Sequence, residues 1–336
     1  MKEQSLLLSS TAIFRRQHRK DHTMETDMWW GTLGSVRPFS NFRPEKDIED
    51  IQTACQQKDV KTLVKIMTNR DNAQRRSLVQ AYLSATSKEL TVDLKKALSG
   101  DLERLMLDLL LTPDEFDAQR LYQAMKGLGT DEETLLEVLC TRSAIQLKGI
   151  TLAYNNMYKK DLEKDLEGET SGDFTKLLLA LLKKETVPGS VDQDVDRLSE
   201  ELKNEKANAS PWINTLTTRH PDHLNKVLTR LEADIGQPVD EALKKRFGGF
   251  LSGDLQLGLT TLVHCIQNPA AYLAKRLQSM KGGVVQGVLV SHCEDDLLMV
   301  RVAYLRETGT SLYSTLQNQF KGDFQNALLA LCCAED

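Results

Sequence analysis

Several things are scarce in this 336-residue chain, and each scarcity closes off a class of protein. Aromatic residues make up only 6% and there are 8 prolines, while Leu, Lys, Glu and Ala are plentiful. That usage leans towards helix. There is no excess of basic residues: the formal net charge is −5. An electrostatic nucleic-acid binder needs a basic face, so that class is excluded, and so is attraction of the whole protein to an anionic membrane. A bridging cation or a local basic patch would have to supply such attraction. No apolar run approaches the roughly 18 residues of a membrane span. The N-terminal "SLLLSSTAIF" is short and interrupted, and its charges, "RRQHRK", follow instead of preceding it. It is a poor secretory signal, so a cytoplasmic, peripheral protein is expected.

Cysteine is sparse and scattered: Cys55, Cys140, Cys265, Cys293, Cys332 and Cys333. Most fall inside apolar helical patterns and read as reduced core thiols. The sharper reading is a metal site drawn from His264–Cys265, His292–Cys293 and Cys332–Cys333. Helix neighbours point about 100° apart, so such pairs rarely share one ion. No nucleophile–base–acid set is recognisable, so an enzyme is not expected.

What is present in abundance is repetition. "ALSGDLERLMLDLL" from Ala97, "ETSGDFTKLLLALL" from Glu169, "FLSGDLQLGLTTLV" from Phe250 and "QFKGDFQNALLALC" from Gln319 share a Gly-Asp and one apolar spacing. In the second stretch Phe174, Leu177, Leu178, Leu181 and Leu182 mark one helix face, and the others repeat it with Gly258 as the weak member. The glycines at 100, 172, 253 and 322 are 72, 81 and 69 residues apart. A second landmark agrees: "TNR", "CTR", "TTR" and "VSH" end at Arg70, Arg142, Arg219 and His292. The unit is therefore about 70 residues, used four times, with extra linker around "TVPGSVDQD". Within the second unit, helices are expected at about 116–125, 131–141, 144–157, 161–166 and 173–184. Short connections make the first two and the last two antiparallel hairpins. If the third helix crosses beneath them, both hairpin loops emerge at one end and Glu169 comes near residues 125–133.

Those residues read "MKGLGTDEE". Thr130 is expected to cap the following helix, with Glu133 completing a capping box. That leaves two glycines unexplained. A dinucleotide loop must follow a strand, and a P-loop needs Gly-Lys-Ser/Thr. A calcium loop needs oxygen ligands, and Gly127 and Gly129 can turn successive carbonyls outwards while a distant carboxylate completes the set. Glu169 lies forty residues beyond Gly129.

Four repeats, a "KGLGTD" loop and a distant acid resemble the annexin family, from about residue 36 onwards. "SNFRPEKD", "TNRDNAQRRSLVQAY", "YKKDLEKDLEGETSGDF" and "HCIQNPAAYLAKRL" look most similar to annexin II. The resemblance implies an all-α fold: four annexin-type repeats of five helices each, in a slightly curved right-handed superhelical disc. The implied organisation is a variable tail over 1–44 and repeats over 45–112, 113–187, 188–268 and 269–336. It implies Ca2+ held by the carbonyls of Met125, Gly127 and Gly129 and the carboxylate of Glu169. It implies calcium-dependent association with acidic phospholipid membranes, phosphatidylserine among them, at the plasma membrane or vesicles. An EF-hand protein or actin is a partner by family analogy.

Three repeats depart from the pattern. The first has "CQQKDV" and Ala97 in place of loop and acid, the third "NEKANAS" and Phe250, and the fourth "SMKGG", shortened by about five residues, and Gln319. Loop and acid are lost together, so one full calcium site is expected. The alternative is a largely calcium-independent membrane or protein interaction scaffold. Arg142 with Asp117 and Glu137 resembles the charged cluster at the centre of annexins, and "KGD" at 321–323 reads as a helix start. Trp29 and Trp30 are expected to pack or touch membrane. The tail, with Leu6–Leu8, Ile13, Phe14 and the basic run 15–20, is expected to be solvated.

Overall fold

Helix starts explain most of the architecture. The computed structural model describes residues 33–204, 206, 208–248 and 253–333, and their secondary structure is twenty helices. The first repeat comprises α1 (Pro44–Gln57), α2 (Val60–Thr68), α3 (Asn72–Thr86), α4 (Leu90–Ala97) and α5 (Gly100–Asp108). The second comprises α6 (Pro113–Ala124), α7 (Glu132–Thr141), α8 (Ala144–Tyr158), α9 (Leu162–Glu169) and α10 (Gly172–Lys183). The third has α11 (Val191–Lys203), α12 (Ser210–Thr218), α13 (Pro221–Ile235), α14 (Val239–Phe247) and α15 (Gly253–Gln267). The fourth has α16 (Pro269–Leu277), α17 (Gly282–His292), α18 (Leu297–Thr308), α19 (Leu312–Gln319) and α20 (Gly322–Cys332). The few prolines are concentrated where they help: Pro44, Pro113, Pro211, Pro221 and Pro269 stand in first turns, where no amide donor is missed. Full capping boxes start α3 (Asp71, Gln74), α6 (Thr112, Glu115) and α8 (Ser143, Gln146). The repeated Gly-Asp places Asp101, Asp173, Asp254 and Asp323 in the first turn of each fifth helix, against the positive end of its dipole.

The apolar face read from the repeat is the core. Phe174, Leu177, Leu178 and Leu181 are buried, Leu182 half-buried. Gly258 is no weak member. A side-chain carbon there would lie 2.5 Å from Leu177 Cδ2, so the glycine lets α15 approach α10. Repeats join in pairs. α10 packs on α12 while α15 packs on α7, joining the second and third repeats. α20 packs on α2 while α17 packs on α5, joining the fourth and first. Within the second repeat α6 packs against both α7 and α8.

The tail features, including Trp29, Trp30 and residues 15–20, and Phe250 lie outside the described residues. "KGD" is the start of α20, with Lys321 at its N-cap.

Candidate metal centre

The connector between the first and second helices differs in each repeat. It is 58–59 in the first, 125–131 in the second, 204–209 in the third and 278–281 in the fourth. The second alone among these carries paired glycines. Gly127 and Gly129 have φ of +109° and +87°, a region that side-chain-bearing residues rarely enter. Nothing lies within 4 Å of where a Cβ would project, so backbone conformation alone selects glycine. Between them Leu128 is 108% exposed, at the tip of the loop.

The structure brings loop and acid together. Glu169 is the last residue of α9, with an exposed side chain. Thr130 Oγ1 donates to its backbone oxygen at 3.3 Å. Thr130 is therefore not the helix cap expected of it. Asp131, one residue on, caps α7 by accepting from the Thr134 amide at 3.0 Å and from Thr134 Oγ1 at 2.8 Å. Aspartate caps at least as well as threonine, and the later start leaves Thr130 free to tie the two loops. The Asp131 amide donates to Ala124 O at 2.8 Å, closing the loop at its base. Among the described residues, the carbonyls of Met125, Gly127 and Gly129 accept no hydrogen bond. Met125 itself is buried at the base, its amide bonded back to Leu121 O at 3.3 Å. Three free carbonyls, with one exposed carboxylate on the adjoining helix end, are oxygen donors alone, the type that suits a hard cation such as calcium.

The fourth repeat's "SMKGG" is short, as its spacing implies, and its glycines serve another purpose. Gly282 and Gly283 are not loop glycines; they are the first turn of α17. Met280 alone takes the left-handed turn, with φ +48°. The fourth connector thus has too few residues to present carbonyls as 125–131 does. Among the described residues no group of three or more His, Cys, Asp or Glu side chains could hold a metal ion. His264 instead meets Asp240 at 3.3 Å, and Cys265, Cys293 and Cys332 are core thiols.

The charged cluster is wider than its sequence suggests. Arg142 pairs with Asp117, Nε to Oδ2 at 2.5 Å, and touches His292 Nε2 at 3.3 Å. His292 Nδ1 meets Asp296 at 2.6 Å. Glu137 accepts from Arg120 at 2.6 Å and Arg276 at 3.1 Å, and Arg120 Nη1, 3.8 Å from Asp117 Oδ1, links the two acids. Burial alone would raise the Asp117 and Glu137 carboxyls; the neighbouring guanidiniums overcome it and hold both below their ordinary values. Arg120, Arg276 and Asp296 were not singled out from sequence. The landmark arginines were the available signal: Arg70–Asp47 and Arg219–Asp194, each at 2.7 Å, repeat the Arg142–Asp117 pair.

A family model described as Annexin matches residues 46–109, 116–181 and 277–331. Annexin A9 of Mus musculus is 37% identical over 91% of this chain and 92% of that protein. Annexin A1 of Rattus norvegicus is 37% identical over 96% of each. Equal likeness to two members sets the family and not the annexin II branch. Among solved structures, annexin III is 34% identical with a TM-score of 0.87, over 93% of this chain and all of that one (100%). Chicken annexin V is 33% identical with a TM-score of 0.82, over 90% and 99%.

Proposed function

The chain belongs to the annexin family, and from that premise we propose that it attaches peripherally to acidic membranes through a single calcium site in its second repeat. Annexins are calcium-dependent phospholipid-binding proteins, generally without enzymatic activity. No helix among the described residues is long and apolar enough to cross a membrane. The observation that carries the reading is the convergence of two loops: the free carbonyls of 125–129 stand beside the end of α9, held there by the Thr130–Glu169 bond. Met125, Gly127 and Gly129 would supply neutral oxygens and Glu169 the negative charge. Bound calcium supplies a positive centre that an anionic lipid phosphate can complete. Leu128 at the tip then faces the acyl boundary. Membrane organisation or vesicle traffic is the corresponding role.

One carboxylate among neutral ligands gives weak affinity, in the range of about 10⁻⁴–10⁻³ M. Simultaneous engagement of several sites would multiply membrane affinity by ~10²–10⁴, and a single site forgoes that gain. The test is co-sedimentation with phosphatidylserine vesicles across a calcium titration. Glu169→Gln should abolish the calcium-dependent fraction; undiminished binding would sink the single-site reading. Binding that persists in chelator would favour the scaffold alternative.

A further inference from the structure

The third repeat carries, on its fourth helix, α14, a guanidinium whose donors lack partners among the described residues. In the first and second repeats, a tyrosine twelve residues after the landmark arginine donates to an aspartate seven residues before the glycine of Gly-Asp. Tyr82 reaches Asp93 at 2.9 Å and Tyr154 reaches Asp165 at 2.7 Å. The fourth repeat has the uncharged Tyr304 and Thr315 at these places. The third has Leu231 in the tyrosine's place and Ala242 in the aspartate's, the fourth residue of its helix, so the polar pair is absent, and Arg246 follows one turn later on α14. Leu231 is fully buried, at 0% exposure. Arg246 Nε and Nη2 are buried as atoms and have no hydrogen-bond partner among the described residues. A guanidinium cannot discard its proton, and leaving its donors dry and unpaired is strongly unfavourable.

Arg246 lines an open cleft of about 860 Å³ along α11, the end of α13 and α14, and Lys203 and Lys245 line it too. Lys245 is held by Gln237 Oε1 at 2.7 Å. The carboxylates on this cleft, Asp196 and Asp234, are exposed, and neither pairs with Arg246. We propose that this cleft is an anion site for one phosphate group, with the Arg246 fork as its anchor and the two lysines as its rim. A planar guanidinium matches two phosphate oxygens at once, which supplies the partners that Nε and Nη2 lack. The two aspartates at the mouth limit the site to a small anion and disfavour a long polyanion. The phosphate can be free or carried on a lipid headgroup.

Both sources are tested with the full chain in chelator, which silences the calcium loop. In one arm, thermal melting is followed as inorganic phosphate replaces chloride at constant ionic strength. In the other, sedimentation is measured with phosphatidylcholine vesicles with and without phosphatidylinositol 4-phosphate. Wild type should bind in at least one arm, and Arg246→Gln should weaken that binding at least tenfold. A gain in the vesicle arm alone identifies the headgroup; a gain in the phosphate arm identifies the free anion as sufficient. Glu169→Gln should behave as wild type in both arms, which separates this site from the calcium reading. If Arg246→Gln does not fold, the Lys203→Gln/Lys245→Gln variant should still lower affinity severalfold. Absence of wild-type binding in both arms, or equal binding by the variants, overturns the proposal.

Discussion

Asp117→Ala tests whether the charged seam between the second and fourth repeats is a balanced structural network. Asp117 is 3% exposed and Arg142 6%, and their contacts run through Nε and Nη2 of the arginine at 2.5 and 3.3 Å. Removing the carboxylate takes away the one acid, among the described residues, in direct contact with buried Arg142 and leaves Thr141 Oγ1 and the His292 ring as its near side-chain contacts. Breaking a buried pair in this way costs about 3–5 kcal/mol. An unfolding entropy of about 2.1 cal/mol/K per residue, over the roughly 300 residues of the unit Gly34–Asp336, is about 0.6 kcal/mol/K. The melting midpoint should therefore fall by about 5–8 °C by calorimetry. The exposed pair Lys176–Asp173, at 67% and 39% side-chain exposure, is the control: Lys176→Ala should move the midpoint by under about 1 °C.

The fourth repeat suggests the rescue. Leu273 stands three residues before Arg276 as Asp117 stands three before Arg120, and both arginines bind Glu137. There the acid is a fully buried leucine, and the arginine's place is taken by His292. Asp117→Leu combined with Arg142→Leu should recover most of the loss, since removing both charges removes the desolvation penalty with the attraction. The pH dependence has a definite sign. Asp117 has a folded pKa below its ordinary 3.8. Its contribution is fully present above that value and disappears as pH falls through the lower, folded one. The gap between wild type and Asp117→Ala should close below about pH 4. A midpoint change under about 2 °C at neutral pH, or a double variant as unstable as the single one, would refute the reasoning.

Gly258→Ala should destabilise by about 1–3 kcal/mol in urea titration, because the added carbon meets Leu177 Cδ2 at 2.5 Å and Phe174 Cε2 at 3.3 Å; a neutral effect would mean α15 and α10 do not approach closely. Alkylation of the native protein at pH 8, read by peptide mass, should modify Cys333 first. It is the exposed thiol, whereas burial pushes Cys293 up to about 12 and half-buried Cys55 up to about 11. Gln319→Glu restores an acid at the end of α19, the position Glu169 holds on α9. Calorimetric calcium titration should nevertheless show no second site, because the connector 278–281 is short and Gly282–Gly283 are helical. A gain of one calcium per chain would contradict the reading that loop and acid must be present together.

The all-α repeat was legible because a buried helix face must recur every three or four residues, and four copies of one face leave a visible period. The second-repeat helices match their expected spans to within a few residues. What failed were single positions whose meaning depends on a neighbour in space. Thr130 has the side chain of a cap, but Asp131 competes for the same role and sequence spacing does not rank them. Gly258 breaks an apolar pattern, and only the distance to Leu177 shows that the break is the contact. "MKGG" shares its first three letters with the loop, yet helix phase decides whether its glycines turn or wind.

Arg246 belongs to the same class. By itself it is one arginine among many on a helix. On α14 it lies one turn beyond Ala242, which holds the place of Asp93 and Asp165 in the sister repeats, and its partnerless donors become an observation that needs a ligand. The second and third repeats thus diverged in opposite electrostatic directions around one shared frame. The second retains an acidic, oxygen-lined loop that suits a cation, whereas the third carries a buried fork that suits an anion. Core packing constrains the apolar face of every copy alike. The helix ends and the polar positions beneath them are held less tightly, and there a repeat can change its ligand without changing its fold.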